Sequence, residues 1–406
     1  MYDGVNMSRT SGFAVGLLAA TAFLPAAGAE TARAHTAEPS SPLVRAETIR
    51  LAGHRYVADL ADGGRAELTL DPRLQQSTEN LLRAFQIPFG GAVVVSIPDG
   101  RVLAMVGQSA ADPRLGPSEL ALRAWAPAAS VFKVISATAL VENGIMGSTR
   151  TCYHGGVSSI LADNLVDLPA IDRRCDTLAF GLGKSQNAII AKLATQHLTA
   201  SDLARVGRSF GFDEAIPFEL PIEPSHLDVP GDDHLEFART AAGFWHSTLS
   251  PMHGALLAAA IANRGQMPAP MLIDRAVDRD GRPIAPAVAN PRHVVDAAAA
   301  REVGRMMELT TRIGTAKGTF RDKRGRRLLP FEVAGKTGTL SAETDHGYVG
   351  YSWFVGYAPA ERPTIAFAVV LGNNPNWRIK ATYVGRHIVT EYLAAKPPAP
   401  RLLASK

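Results

Sequence analysis

Apolar and polar positions change period several times along this chain, and each change marks an element. Residues 55–71 read RYVADL, ADGG and RAELTLD, two short alternating runs about a glycine-bearing turn, which predicts a hairpin. In residues 71–85 (DPRLQQSTENLLRAF) the apolar positions fall at helical spacing and Pro72 follows a capping Asp71, which predicts a helix. Residues 91–97 (GAVVVSI) and 101–107 (RVLAMVG) flank Pro98-Asp99-Gly100 and give the clearest strand-turn-strand signal in the chain. A long middle section then reads as helices and loops, its best helical runs being 130–143, 184–198, 203–210 and 251–263. Strand signals return at 331–340, 351–358 and 364–373, and 378–396 closes the pattern as an amphipathic helix.

Two strands before the helical section and three after it predict an α+β fold. One five-stranded antiparallel sheet is completed by distant parts of the chain and covered by the N- and C-terminal helices, with a mostly helical lobe inserted between strands two and three. Any chemistry then falls at the seam between sheet and lobe.

Composition agrees with a folded globular protein: 406 residues, 46% hydrophobic and 20% charged, without a repeat of solenoid or propeller period. The net charge of +4 is spread out, except for RDKRGRR at 321–327. Such a run reads as a solvated hairpin tip, with contact to an anionic polymer as the alternative. No aromatic residue is interleaved with it, so nucleic acid is not an expected partner. None of the 11 histidines forms a metal-ligand spacing, and no metal is expected.

At the N-terminus, Arg9 precedes an uncharged run from Gly12 to Ala29, with small-residue sites ending at Ala29 and Ala34. The run is rich in Ala and Gly and contains Pro25, which is weak for a membrane-spanning helix. Residues 1–34 are therefore read as an export signal, cleaved in the favoured reading and kept as an anchor in the other. Residues 35–54 read as a linker, 55–396 as the folded domain and 397–406 as a tail. An exported domain is free to oxidise its two cysteines. Cys152 and Cys175 either form a disulfide, which closes a loop worth about 3 kcal/mol in the chain-entropy model, or are buried free thiols.

Ser130 and Lys133 stand out near the start of an apolar helical run, where residues at i and i+3 share one face. Serine is a poor nucleophile without a base, and lysine serves as one only when burial or a nearby cation keeps it neutral. Residues Ala126 to Ile135 supply the apolar setting, and a helix N-terminus favours negative charge developing at the serine. A second hydroxyl, Ser185, stands two residues before Asn187 at a loop-to-helix junction. Read locally, Ser185 is a helix N-cap; read chemically, it passes a proton between Lys133 and an amine while the Asn187 amide bonds a substrate carbonyl. A third segment, Lys336-Thr337-Gly338-Thr339, exposes an ammonium and two hydroxyls beside a glycine that admits a ligand to the backbone. Lys336 is also a candidate for the cation that keeps Lys133 neutral.

In this order S-x-x-K, S-x-N and K-T-G resemble the motif set of penicillin-binding proteins and class A β-lactamases. The likeness extends over most of residues 67–393: TLDPRLQQSTENLL is similar to that family's lead-in helix, SPMHGALLAAAIANRGQMPAP to its middle helix and loop, and GTAKGT and SWFVGYAPAERPTIAFAVV to segments around its closing strands. The resemblance implies that residues 55–396 are a transpeptidase domain with Ser130 as acylated nucleophile, Lys133 as general base and Ser185 as proton relay. It also implies that Asn187 holds the substrate peptide and that Lys336, Thr337, Gly338 and Thr339 form the substrate-carboxylate strand. The N–H groups of Ser130 and Thr339 would make the oxyanion hole. No cofactor is implied. The implied partners are peptidoglycan stem peptides ending in D-Ala-D-Ala, β-lactam antibiotics as inhibitors, and cell-wall assembly proteins. The implied location is the periplasm or the outer face of the cytoplasmic membrane.

Three positions depart from the family's pattern: Ala128-Ala129 replaces the Pro-Gly before the nucleophile, Val131 replaces the threonine after it, and Gln186 stands where Cys or a small residue is common. The activity implied is a D,D-transpeptidase, with D,D-carboxypeptidase or β-lactamase as alternatives and a non-catalytic sensor or scaffold as another. No E-x-x-L-N lies between the second and third motifs, which argues against a class A β-lactamase. No E-D-x-x-F-x-x-H-x-G glycosyltransferase signature precedes the domain, so a nearly bare transpeptidase domain is expected.

Overall fold

In the computed structural model, which describes residues 43–285, 289–345, 347–373 and 377–394, the two ends of the chain meet in one antiparallel sheet. Its strands run in the order Ala334–Thr344, Gly347–Ala358, Ile365–Asn373, Phe89–Ser96 and Val102–Gln108. Val369 pairs with Ala92, so the closing strands and the first hairpin form one continuous ladder. The predicted export signal and tail, and the first part of the linker, lie outside the described residues.

Side chains alternate across a strand, and this sheet is buried on both faces. Val94, Val106, Phe354, Phe367 and Val369 pack beneath the helices Pro72–Ala84 and Ala381–Ala394. Val93, Met105, Trp353, Val355 and Val370 face the opposite way into the core shared with the lobe. There the helix Pro251–Ala262, apolar around nearly its whole circumference, runs against the sheet. Gly254 lets it approach closely, because a Cβ there would stand 3.1 Å from that of Ala368.

The lobe lies between the second and third strands in chain order, as the sequence predicts. It includes the helices Lys133–Glu142, Leu178–Gly183, Asn187–His197, Ala200–Ser209, His234–Ala241 and Ala297–Arg312. The last was not among the predicted helical runs, although Ala300, Val303, Met307 and Thr310 bury one face of it at helical spacing. The helix expected over 184–198 forms as Asn187–His197, and a short helix that was not expected, Leu178–Gly183, precedes it, with Ser185, whose φ is 57°, in the break between them.

The predicted hairpin of residues 55–71 forms, as Arg55–Asp59 against Arg65–Leu68. It belongs to a second five-stranded sheet that the sequence did not lead us to expect, together with Arg50–Ala52, Ile273–Val277 and Pro283–Ile284. The folded domain thus begins before residue 55, inside the segment read as linker: Val44 is buried and Arg50–Ala52 pairs with the hairpin. Cys152 and Cys175 are bonded across the paired strands Arg150–Tyr153 and Arg174–Thr177, which decides between the two thiol readings. The basic run at 321–327 is a tip closed by an Arg321–Arg327 bridge, with Arg326 on Asp322 at 2.8 Å, as the solvated reading expects.

Asp71 caps the helix Pro72–Ala84 by accepting from the Arg73 and Leu74 N–H groups at 2.9 and 3.0 Å. Replacing it with alanine should lower stability by about 1 kcal/mol, read as an earlier denaturant midpoint with an unchanged slope.

Candidate active site

Ser130 lies not in an α-helix but in a 3-10 turn, Ala129–Phe132, that runs directly into the helix Lys133–Glu142. Such a turn has three residues per revolution, so positions i and i+3 eclipse. Lys133 Nζ is therefore brought to 2.8 Å from Ser130 Oγ. The amine also donates to Asn187 Oδ1 at 2.6 Å and to the Ala242 carbonyl at 2.5 Å. Lys133 is fully buried, and burial alone lowers its pKa to about 7.

The turn before the nucleophile is held from both sides. Ala129 adopts a left-handed φ of 50°, where an L-residue pays about 1–2 kcal/mol and glycine little. This is the place at which the family's pattern has glycine. The strained turn is kept in place by the Ala128 N–H bond to the Ser247 carbonyl at 2.9 Å and by Trp353 Nε1, which donates to the Pro127 carbonyl at 2.9 Å. Gly243, with φ of 80°, lies against it: a Cβ there would stand 2.2 Å from the Ala129 carbonyl oxygen. On the sheet side a Cβ at Gly338 would stand 3.0 Å from that of Trp353 and 3.3 Å from that of Ala129. Gly338 thus does more than open the backbone to a ligand; it lets the strand lie against the Ser130 turn.

Lys336 points from the edge strand Ala334–Thr344 into the seam and is fully buried. It donates to Ser185 Oγ at 2.9 Å and to the Thr337 carbonyl at 2.7 Å. Burial, and then the charge of Lys133, hold its pKa well below the usual lysine value. Ser185 is not a helix cap: Gln186 occupies that position and makes no capping bond. The Ser185 hydroxyl is engaged by Lys336 rather than by Lys133. Asn187 is likewise committed, its Oδ1 to Lys133 and its Nδ2 to the Val157 carbonyl at 2.9 Å, so its amide orients the base.

Ser130, Ser185, Asn187, Thr337, Gly338 and Thr339 all line one cleft of about 560 Å³, with the two buried lysines behind its wall. Sequence reasoning missed Thr315, Thr319, Ser352, Lys380 and Thr382, which also line it. Thr315 lies within 2.5 Å of Thr337, hydroxyl to hydroxyl, and belongs to the GTAKGT stretch whose function the sequence alone left unassigned. It is brought there because Gly314 has no Cβ to strike the Gly183 carbonyl, which would be 2.0 Å away. Among the described residues no carboxylate lines the cleft.

A serine hydroxyl bonded to a buried, readily neutral amine beside a strand edge rich in hydroxyls is the apparatus of a serine acyl-transferase that uses lysine as its base. Residues 90–391 match the family model of the penicillin binding protein transpeptidase domain, and the chain belongs to that family. Peptidoglycan D,D-transpeptidase PbpA of Mycobacterium tuberculosis is 26% identical over 399 residues, taking in 88% of this chain and 79% of that protein. PbpA of Mycolicibacterium smegmatis is 25% identical over 352 residues, 79% of this chain and 69% of that one. The solved imipenem acyl-enzyme complex of M. tuberculosis penicillin-binding protein A shares the fold with a TM-score of 0.68 at 23% identity, covering 82% of this chain and 80% of that chain. The D,D-transpeptidase domain of a peptidoglycan glycosyltransferase from Eggerthella lenta does so with a TM-score of 0.66 at 24% identity, covering 82% and 83%.

Gly243→Ala should strain the left-handed turn and push the Ala129 carbonyl. We expect a loss of more than about 1 kcal/mol in a denaturant melt, accompanied by slower covalent labelling of the enzyme by penicillin.

Proposed function

We propose that this chain is a peptidoglycan D,D-transpeptidase in which Ser130 is the acylated nucleophile. The 2.8 Å bond between Ser130 Oγ and the buried Lys133 Nζ carries the assignment. Neutral Lys133 takes the Ser130 proton as Oγ attacks the carbonyl carbon of the penultimate D-Ala, forming a tetrahedral oxyanion. Ser130, in the first turn of its helix, has an N–H without an intrahelical acceptor. The Thr337 carbonyl receives the Lys336 amine at the strand's unpaired edge, and N–H and carbonyl groups two residues apart point the same way, so the Thr339 N–H faces that edge too. These two donors form the oxyanion hole, where losing one costs about 3–4 kcal/mol of transition-state stabilisation in other enzymes.

As the tetrahedral species collapses, Ser185, turning its hydroxyl from Lys336 toward Lys133 and the cleft, relays the proton from Lys133 to the leaving D-Ala amine, and the acyl group stays on Ser130 as an ester. The acceptor amine then attacks the ester along the reverse proton path, and the new peptide cross-links the wall. Lys336, whose charged form an arriving anion favours, binds the substrate's terminal carboxylate with the hydroxyls of Thr337 and Thr339. Thr315 fixes the Thr337 hydroxyl. Because no carboxylate among the described residues lines the cleft, none of them offers an obvious base to activate water against the ester, which favours a long-lived β-lactam adduct over β-lactamase turnover. The substrate lies outside the cytoplasm, in keeping with an N-terminal export signal; among the described residues no helix is long and apolar enough to cross a membrane.

Incubation with fluorescent penicillin followed by intact-mass measurement should show one adduct on the wild type and none on Ser130→Ala; equal labelling of both proteins refutes the nucleophile. A pentapeptide ending in D-Ala-D-Ala should release D-Ala faster when an acceptor amine is present, whereas release insensitive to the amine indicates a carboxypeptidase. The acylation rate should rise with pH through an apparent pKa near 7, since Lys133 must lose its proton to act as base and its pKa is about 7. A flat profile between pH 6 and 8, on the order of one pH unit either side of that value, speaks against lysine as the base.

A further inference from the structure

Lys133 is oriented by Asn187, and Asn187 is oriented by something outside the motif set. Its Nδ2 donates to the carbonyl of Val157, which belongs to the loop closed by the Cys152–Cys175 disulfide. Two consecutive left-handed glycines, Gly155 with φ of 54° and Gly156 with φ of 63°, turn that loop back onto the start of the helix Asn187–His197. A Cβ on Gly156 would stand 2.5 Å from that of Ala188, so only glycine lets the Val157 carbonyl reach its place.

A second clamp joins the same loop to the same helix. Lys192, fully buried, donates to Asp172 Oδ2 at 2.8 Å and to the Cys152 carbonyl at 2.9 Å, and pairs with Asp167 at 2.9 Å. Asp172 also receives His154 Nδ1 at 2.5 Å and the Leu168 N–H at 2.9 Å. Burial opposes the charge on Asp172, but the bonds from Lys192, His154 and Leu168 hold its carboxyl well below the usual range. The disulfide lies at the mouth of this loop, and Cys152 is exposed to reagents.

We propose that the disulfide-closed loop is a positioning device for the Lys133 base, with Lys192 and Asp172 as positioning residues, so that reducing Cys152–Cys175 slows acylation of Ser130. In the reduced protein the loop loses its closure, Val157 slackens its hold on Asn187, and Lys133 admits water. The groups facing Lys133 are Ser130, Asn187, the Ala242 carbonyl and, as the other cation, Lys336. With water admitted, the Lys133 amine holds its proton to higher pH, and the acid limb of the rate profile moves upward. This inference rests on the Ser130 reading above.

The test compares oxidised full-length protein, the same protein treated with dithiothreitol, and the Cys152→Ser/Cys175→Ser double variant. Dithiothreitol turns the disulfide into two thiols as it closes to its own cyclic disulfide. Fluorescent penicillin acylation is followed from pH 5.5 to 9, with a thermal melt of each sample. We expect an acylation rate lower by about ten-fold in the reduced and double-variant proteins, the scale of one lost orienting hydrogen bond at a reacting group. The acid limb should be displaced to higher pH in both. Reoxidation with oxidised glutathione should restore the wild-type rate, and dithiothreitol should leave the double variant unchanged. A lower melting temperature with unaltered rate and pH profile would overturn the proposal, since the bridge would then serve stability alone. Loss of the cooperative melt on reduction would overturn it as well, by showing that the loop holds the whole fold. Oxidised wild type that takes no label at all would bring down the Ser130 assignment, and this inference with it.

Discussion

An amine buried without a counter-ion governs the architecture around the cleft. Lys133 is enclosed among Ser130, Asn187 and the Ala242 carbonyl, and among the described residues no carboxylate pairs with it. Keeping an ammonium in such a place costs several kcal/mol, so the site is more comfortable with the neutral base that the chemistry requires. Enclosure takes three separate parts of the lobe: the Ser130 turn, the start of the helix Asn187–His197, and the turn after the helix His234–Ala241. Each gives up one hydrogen-bonding oxygen to hold the amine in line with the hydroxyl.

The second buried amine, Lys336, comes from the sheet, and the two lysines meet across the seam. Burying both near each other makes full protonation of the pair unfavourable. In the proposed mechanism an arriving carboxylate relieves that repulsion at Lys336, so that the substrate's anion helps to settle the charge state of the site. The seam closes because small residues line it. Gly338, Ala129 and Gly243 stack without room for larger side chains, and Val131, in place of the family's threonine, rests its methyl against Gly338. Ala129 sustains its left-handed backbone because the bonds at Ala128 and Pro127 fix the turn from either side. The alanines that replace Pro-Gly therefore leave the Ser130–Lys133 geometry intact.

The same small-residue contacts explain why the lobe and the sheet act as one site. The pair of left-handed glycines that brings Val157 onto Asn187 works on the same principle as Gly314 beneath Thr315: a missing Cβ lets backbone reach a group that the chemistry uses. Loops thus supply orientation, while the helices and the edge strand supply the reacting groups. That division places Ser130 and both lysines on rigid elements, where a displacement of one ångström is resisted by packing.

Much of this was written locally in the chain. The alternating runs at 91–97 and 101–107, the capped helix after Asp71, the late strands and the three motifs around Ser130, Ser185 and Lys336 were legible because period, turn chemistry and motif spacing act over a few residues. The helix Ala297–Arg312 carries the same kind of signal, since its buried positions recur at helical spacing. The second sheet was not legible, because Ile273–Val277 pairs with Arg65–Leu68 across some two hundred intervening residues, and such short strands carry little pattern of their own. Nor could the sequence say that Ser185 serves Lys336 instead of capping a helix, or that Asn187 spends its oxygen on Lys133. Those assignments follow from which groups are brought together and sealed from water. The sequence by itself determined the elements and the reactive groups; the tertiary structure decided their protonation, their hydrogen-bond partners and the disulfide, because burial and long-range proximity exist only once the distant segments have packed.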